Sequence, residues 1–248
     1  MKSILLILML SVVSLYSQVM TNGVFVPVQF TGTPTYEVVG KGIKPNNNPI
    51  VIGKTYSVGK TVYSVITTND TVTFHFSNGL LAKIGTNSNF SVNDFQQELT
   101  IPTYPSTPKL GTHNLSLMLS EGEGAFMFNG SDSNSMCSVS TPLVDIELLK
   151  GKFYFRSSEK GVVVFVLEGS LRYHGERGRN DVVEAGKAVA AAPIQFQMRG
   201  LDDKVFLNTK KAEADELTKL LAETKPLERA SKISFVVVNG DYLGVNID

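Results

Sequence analysis

The sequence predicts an all-β fold, a β-helix-like or solenoid-like stack of short strands that ends in one amphipathic helix and a terminal hairpin. Three observations support this prediction. Apolar and polar residues alternate with a period of two from Thr55 to Phe206, as in half-buried strands. Turn-forming residues interrupt the alternation at short intervals. Only one segment, near the C-terminus, has helical spacing, so there is little room for parallel βαβ units.

The individual strands follow from the same alternation. In the segment 71–76, Val72, Phe74 and Phe76 share one face and His75 lies on the other. The inward residues of later strands include Leu115, Leu117, Leu119, Phe153 and Phe155. The segment 162–167 is continuously apolar and β-branched, which is typical of a strand buried on both faces.

Turn sequences stand between the apolar runs, at Ser77-Asn78-Gly79, Gly122-Glu123-Gly124, Lys150-Gly151, Glu168-Gly169 and Ala185-Gly186. Gly79, Gly151, Gly169 and Gly186 are each placed where a strand must reverse, and glycine alone adopts positive φ without steric cost. We therefore predict that these four glycines are structural turn residues.

The C-terminal segment predicts a helix and a hairpin. Residues 212–224 carry an apolar stripe of Leu217, Leu220 and Leu221 among charged residues, and Pro226 ends the pattern. A strand over 233–238 and the Asn239-Gly240 turn follow. We expect the helix to bury its stripe against one end of the sheet; a partner-binding helix is the alternative.

The N-terminus predicts a secretory signal peptide over residues 1–17. Lys2 supplies the positive charge, residues 4–13 the apolar core and Ser17 the small residue before a cut at Gln18. An uncleaved membrane anchor is the alternative, but the apolar stretch is short for one. No cysteine follows the apolar core, so a lipoprotein is not expected. These features predict a periplasmic or secreted protein.

Composition excludes several classes of partner and cross-link. The chain has 23 basic and 23 acidic residues, and loss of Lys2 with the signal leaves a formal charge of −1. This balance favours neither nucleic acid nor anionic lipid as a partner. The single cysteine, Cys137, permits no intramolecular disulfide and lies in a strand-like run, where we expect a buried, unreactive thiol.

No catalytic or metal-binding constellation is recognisable. His75, His113 and His174 lie in three different local settings, and hydrolase, zinc-protease and nucleotide-binding motifs do not occur. Glu121 and Glu123 flank Gly122 in a predicted turn, which fits a solvated loop better than a glycosidase carboxylate pair. We therefore expect no enzyme activity, no cofactor and no metal.

Two metal sites are the alternatives to this interpretation. A cupin-like small barrel with His174 as a metal ligand would fit the order of elements over 167–189, but no second histidine stands beside it. The polar run 129–134 lacks the acidic density of a calcium loop. Both segments are interpreted as surface features.

The order of motifs from Gly53 to Val189 resembles the FecR domain, a periplasmic module of bacterial transmembrane anti-sigma regulators. The pieces that carry the resemblance are Phe76 to Ser88, Gly122 to Phe128, Ser140 to Ile146, Leu149 to Phe155, Val162 to Tyr173 and Val183 to Val189. Lys152 is a departure, since the family usually has Gly-Thr-x-Phe there. The resemblance implies the solenoid-like stack, and protein recognition and signal relay rather than catalysis.

These observations divide the chain into residues 1–17, a signal peptide; 18–52, an N-terminal extension; 53–207, a FecR-like β domain; and 208–248, the C-terminal helix and hairpin. The family's cytoplasmic anti-sigma segment and spanning helix are not recognisable in the sequence. The predicted function is that of an exported, non-enzymatic FecR-like protein in recognition, envelope signalling or scaffolding, with another envelope or surface protein as partner. A cupin-like metal or small-ligand protein and a structural surface protein are the alternatives.

Overall fold

The structure, a computed structural model, describes residues 17–40, 42–59, 61–101, 109–130, 134–174, 180–191, 233–238 and 241–246. Within these ranges the chain forms 17 strands and no helix, so the prediction of an all-β fold is confirmed. The predicted signal core and the predicted helix over 212–224 lie outside the described residues.

The strands, in chain order, are β1 (Ser17–Asn22), β2 (Val24–Thr31), β3 (Thr35–Val39), β4 (Asn48–Pro49), β5 (Tyr56–Ser57), β6 (Val62–Thr67), β7 (Thr71–Phe76), β8 (Leu81–Ile84), β9 (Ser88–Ile101), β10 (Lys109–Phe128), β11 (Met136–Ser140), β12 (Asp145–Ser158), β13 (Gly161–His174), β14 (Asn180–Glu184), β15 (Ala188–Ala191), β16 (Ile233–Val238) and β17 (Asp241–Asn246). The first fifteen belong to one hydrogen-bonded sheet. The last two pair antiparallel with Val238 opposite Asp241, so the predicted strand over 233–238 and its hairpin are confirmed.

The fifteen-stranded sheet folds over itself into two layers. The front layer contains β1, β3, β4, β6, β9, β11, β14, the first parts of β10 and β12, and the second part of β13. The back layer contains β2, β5, β7, β8, β15 and the remaining parts of β10, β12 and β13. Each layer therefore has an inner face toward the other layer and an outer face away from it.

Three long strands pass from one layer to the other, and each bends at a glycine with positive φ. These glycines are Gly122 in β10, Gly151 in β12 and Gly169 in β13. Before Gly122 the odd-numbered residues of β10 face the core, and after it the even-numbered ones do. At each glycine the core-facing side chains change from odd-numbered to even-numbered positions or the reverse. Each strand therefore keeps one face toward the core on both sides of its bend.

This arrangement corrects two sequence predictions. Gly151 and Gly169 do not reverse the chain, because β12 and β13 continue through them. Gly122 likewise lies within β10 rather than in a turn between strands. Turn-like residue pairs also occur at β-bulges, where one extra residue bends a strand, and the local sequence does not separate the two cases.

Aromatic rings fill the space between the layers. Phe74 of the back layer stacks on Phe90 of the front layer with ring centroids 6.1 Å apart, and Phe76 meets Phe95 edge-on at the same distance. The predicted inward residues of β7, β10 and β12 all belong to this one cluster. The core is thus a sandwich interior built from strands far apart in sequence.

The solenoid-like stack is not confirmed. Strand pairs in the described part of the chain are antiparallel except β10–β11. The predicted N-terminal extension also takes part in the sheet, since β2 pairs with β7 and β3 with β6. Among the described residues no helix is long and apolar enough to cross a membrane.

Candidate interaction surface

The outer face of the front layer is a polar, accessible surface, which we call the front face. One row across it runs through directly paired residues, namely Asp94, Ser116, Ser138, Glu147, Arg172 and Val182. Their side chains point away from the core because their strand neighbours, such as Leu115 and Leu171, are fully buried. A sheet face of this composition can meet solvent or a polar partner.

A charged cluster lies at the β12–β13 end of the front face. Arg172 Nη1 donates a hydrogen bond to Glu147 Oε2 at 2.5 Å, and His174 Nε2 lies 3.7 Å from the same oxygen. The Glu147 side chain is 15% exposed, whereas Arg172 and His174 are exposed by 37% and 42%. The cluster therefore presents the Arg172 guanidinium and the His174 ring to a partner while its carboxylate is largely covered.

The front layer has two open strand edges of five or more residues among the described strands, and they differ in charge. β1 pairs only with β9, and β14 only with β13. β14 carries Asp181 and Glu184, whereas β1, with the sequence SQVMTN, has no charged residue. Met20 of β1 is 61% exposed. Charges on an edge strand discourage pairing with another chain, so β1 is the edge better suited to strand addition.

The four predicted turn glycines occupy two different settings. Gly79 (φ 82°) lies between β7 and β8, and Gly186 (φ 79°) between β14 and β15. Gly151 and Gly169 face each other across the β12–β13 ladder. A Cβ at Gly151 would overlap the backbone oxygen of Glu168, and one at Gly169 would overlap that of Lys150. The two strands approach too closely there for any side chain.

The structure keeps the three histidines apart. His75 lies on the outer face of the back layer, since its neighbours Phe74 and Phe76 face the core. His113 is buried, and its ring meets that of Phe128 edge-on at 6.0 Å. His174 lies on the front face. Within the described ranges, no three histidine, cysteine or acidic residues are grouped so that they could hold a metal ion.

The predicted turn around Gly122 is part of a strand. Glu121 and Glu123 lie in β10, and Glu123 Oε1 accepts a hydrogen bond from Arg156 Nε at 3.1 Å. The Arg156 guanidinium lies over the Tyr154 ring at 6.0 Å. Burial and the hydrogen bond to Glu123 raise the pKa of Tyr154 above its ordinary value. Glu123 is thus tied into a surface network. The polar run 129–134 is only partly within the described residues.

A cavity of about 290 Å³ lies where β12 and β13 bend, beside Phe128 and the paired Gly151 and Gly169. Two of its three charged side chains bond to each other, since Lys152 Nζ donates to Glu168 Oε1 at 2.7 Å; Lys150 is the third. The Lys152 side chain is 8% exposed and that of Glu168 is 52% exposed, so Lys152, where the sequence departs from the FecR pattern, forms an ion pair whose acidic partner is half exposed.

Cys137 lies in the core, as the sequence predicts, with 1% of its surface exposed. Burial raises the pKa of its thiol above the ordinary value. A thiolate is therefore strongly disfavoured, and Cys137 is not a nucleophile in the folded chain.

Comparison with known families finds a match for part of the chain. Residues 63–172, from β6 into β13, match the sequence model described as FecR protein, in agreement with the predicted resemblance. These residues supply most of the front face, but β1 and β14 fall outside the matched range. No curated protein matches the chain.

Two solved structures, both described as a proposed anti-sigma factor from Parabacteroides distasonis ATCC 8503, are similar over much of the chain. The first is 10% identical, with a TM-score of 0.40, and covers 75% of this chain and 100% of its own. The second is 9% identical, with a TM-score of 0.40, and covers 74% and 98%. At this level of similarity neither structure supports a conclusion about the protein's function.

Neither the front face nor the β1 edge is predicted by the sequence. Glu147 and Arg172 are 25 residues apart in the chain and meet only through the register of β12 and β13. For β1, the available information was a short run with no charge immediately after the apolar signal core. The sequence predicts signal cleavage before Gln18 and an N-terminal extension from there, with no strand predicted in this run.

Proposed function

We propose that this protein is an exported, non-enzymatic recognition module of an envelope signalling system, and that it binds a partner protein at the front layer. The observation that carries the proposal is the FecR match over residues 63–172, because FecR proteins are envelope signalling proteins. The accessible front face and the uncharged edge of β1 support it. A protein that acts by binding a partner in this way needs no catalytic group.

Export is the first part of the proposal. Residues 1–17 have the order of charge, apolar core and small residue that a secretory signal needs. Cleavage before Gln18 would leave β1 as the first strand of the mature protein. N-terminal sequencing of the protein from a periplasmic extract checks this; a chain that retains Met1 and stays with the membrane would support an anchor instead.

Strand addition at β1 is the second part. An added strand gains main-chain hydrogen bonds from the open edge, and alternate side chains then read the partner's sequence. Met20 and Val19, 61% and 37% exposed, offer apolar contacts to such a strand. The charged cluster of Glu147, Arg172 and His174 lies at the opposite end of the same face, so it serves as a second, polar contact for a large partner.

Capture from periplasmic extract tests the recognition. The full chain with its native sequence is compared with Met20→Lys, which adds a charge to the β1 edge, and with Val182→Lys, which adds the same charge at β14. We expect Met20→Lys to weaken retention of a specific partner about fivefold or more, a loss of roughly 1 kcal/mol.

Val182→Lys is the comparison variant for the other edge strand: Val182 is 51% exposed and lies beside Arg172, so this change probes the polar contact while β1 stays intact. Loss of the partner with Val182→Lys alone would move the site to β14. Failure to retain any specific protein would reject recognition altogether and favour a structural role at the cell surface.

The domain limits belong to the same proposal. We take residues 53–207 as the FecR-like domain and 18–52 as an extension whose strands complete both layers. Gly79, Gly151, Gly169 and Gly186 would then be structural residues of the domain rather than contacts for a ligand. Their positive φ values support that role.

A further inference from the structure

The outer face of the back layer, which we call the back face, has a covered apolar area, although His75 and the exposed Glu123–Arg156 pair also lie on this face. Its buried apolar residues are Val24, Val26, Leu81, Ala125, Met127, Tyr154, Phe165, Leu167 and Ala188, and Thr73 and Lys152 are buried polar residues there. Phe165 and Tyr154 are each 5% exposed and Leu81 is fully buried. A sheet face turned to solvent is expected to be polar, so a face of this kind must be covered by another part of a protein.

The back face is separate from the core. Its residues alternate with the core residues along each strand, as Phe165 does with Val164 and Val166. They form three small clusters of their own, and in the part of the chain that the structure describes no front-layer residue belongs to any of them. The cover therefore comes from residues other than the two described layers.

We propose that the amphipathic segment 212–224 is a helix that lies across the back face and buries its leucine stripe there. The segment has a single apolar stripe, Leu217, Leu220 and Leu221, with charged residues around the rest of its circumference. A sheet face that is apolar in the middle of a protein surface is the natural partner of such a stripe.

The width of the back face agrees with the length of the proposed helix. The back face extends from β13 through β12, β10, β8 and β7 to β2, which are adjacent in the sheet. Six strands spaced about 4.8 Å apart give a width of roughly 24 Å. A helix over residues 212–224 would be about 20 Å long, so it can cross most of that width.

The segment that joins β15 to the proposed helix is also compatible with this position. β15, the last strand of the sheet in sequence, ends at Ala191 at the border of the back layer, and Ala188 is itself part of the back face. The segment between residue 191 and residue 212 is long enough to reach any point of the face. Packing in cis leaves the front face as the surface available to a partner, so this proposal does not depend on the identity of that partner.

Thiol labelling of the full chain tests the proposal. Ala125→Cys places a reporter in the middle of the back face, where Ala125 is 6% exposed. The native Cys137, buried between the layers, reports in the same molecule whether the domain has unfolded. We expect the thiol at position 125 to react slowly in the otherwise unchanged chain.

Leu217→Asp, at the start of the stripe, is expected to raise the labelling rate at position 125 about tenfold or more, because burial of a leucine favours the covered state by at least that factor. Ala222→Asp is the matched control. It adds the same charge on the opposite side of the predicted helix and is expected to leave the rate unchanged. Cys137 should stay unreactive in both variants.

Three results would overturn the proposal. Equal labelling with Leu217→Asp and Ala222→Asp would mean that the stripe does not cover the face. Loss of protection on dilution would identify a second copy of the chain as the cover, and loss with Val236→Asp alone would identify the C-terminal hairpin. If Leu217→Asp also exposes Cys137, the milder Leu217→Ala is used in its place. A labelling rate at position 125 in Leu217→Ala equal to that in Ala222→Asp would then reject the helix as the cover.

Discussion

At the residue scale, the bend of β12 and β13 depends on two glycines that oppose each other. Gly151 and Gly169 are register partners, and each has the other strand's backbone where a Cβ would be. Lys152 and Glu168, which flank them, form an ion pair at 2.7 Å. The close approach of the two backbones and the ion pair together hold the point where both strands change layers.

This arrangement predicts a ranking of glycine substitutions. Gly151→Ala and Gly169→Ala are each expected to destabilise the protein by about 3 kcal/mol, because the strands must separate to admit the methyl group. Gly186→Ala is the matched control: Gly186 also has positive φ, but a Cβ there meets nothing within 4 Å. Its cost should be only about 1 kcal/mol of backbone strain.

Urea unfolding of the three variants measures the ranking. Equal midpoints for Gly151→Ala and Gly186→Ala would show that positive φ alone determines the cost and that the close approach does not matter.

At the element scale, β10 changes layers at Gly122 beside the first residue of β9. Glu123 N donates to Ser88 Oγ at 3.0 Å, and Ser88 N donates to Thr67 Oγ1 at the same distance. A Cβ at Gly122 would overlap Ser88. Ser88, which is 3% exposed, thus satisfies the backbone of β10 where the ladder is interrupted.

Removal of this hydroxyl should loosen the bend. Ser88→Ala leaves Glu123 N without its buried acceptor and is expected to destabilise the protein by about 1 to 2 kcal/mol. Ser120→Ala is the control, because the Ser120 hydroxyl makes a solvent-exposed bond to Asn89 O at 3.1 Å, and its loss should cost less than about 0.5 kcal/mol. Thermal unfolding compares the two variants. A loss with Ser120→Ala as large as that with Ser88→Ala would contradict this account of the bend.

At the scale of the whole molecule, several tyrosines contribute to stability only while they are neutral. Burial raises the pKa values of Tyr56, Tyr63 and Tyr154 above 10.0. Since the unfolded chain releases these protons at about pH 10, the folded state loses stability as the pH rises from there through the raised pKa values. Below pH 10 the contribution is complete.

Tyrosine absorbance and unfolding measured across this pH range check the prediction. Part of the signal from the chain's 8 tyrosines should titrate above pH 10, and stability should fall over the same interval. Tyr154→Phe should reduce the slope because it removes one such group. If all the tyrosines titrate together near pH 10 in the folded protein, the predicted coupling to folding is absent.

The period-two pattern determined the strand class and, within each strand, which residues share a face. Val72, Phe74 and Phe76 therefore lie in the core with His75 opposite, and the segment 162–167 is buried on both faces, as predicted. The order of motifs along the chain also determined the FecR resemblance, which the match over residues 63–172 confirms.

Only the tertiary structure decided what lies between and around these faces. It placed Gly151 and Gly169 inside long strands, brought Glu147 to Arg172, left β1 as an uncharged edge and gave the back layer a second buried face. Alternation is a local property of one strand, whereas bulges, register and layer order depend on which distant strands pair. Those pairings are set by packing of the whole chain, and no short stretch of sequence contains them.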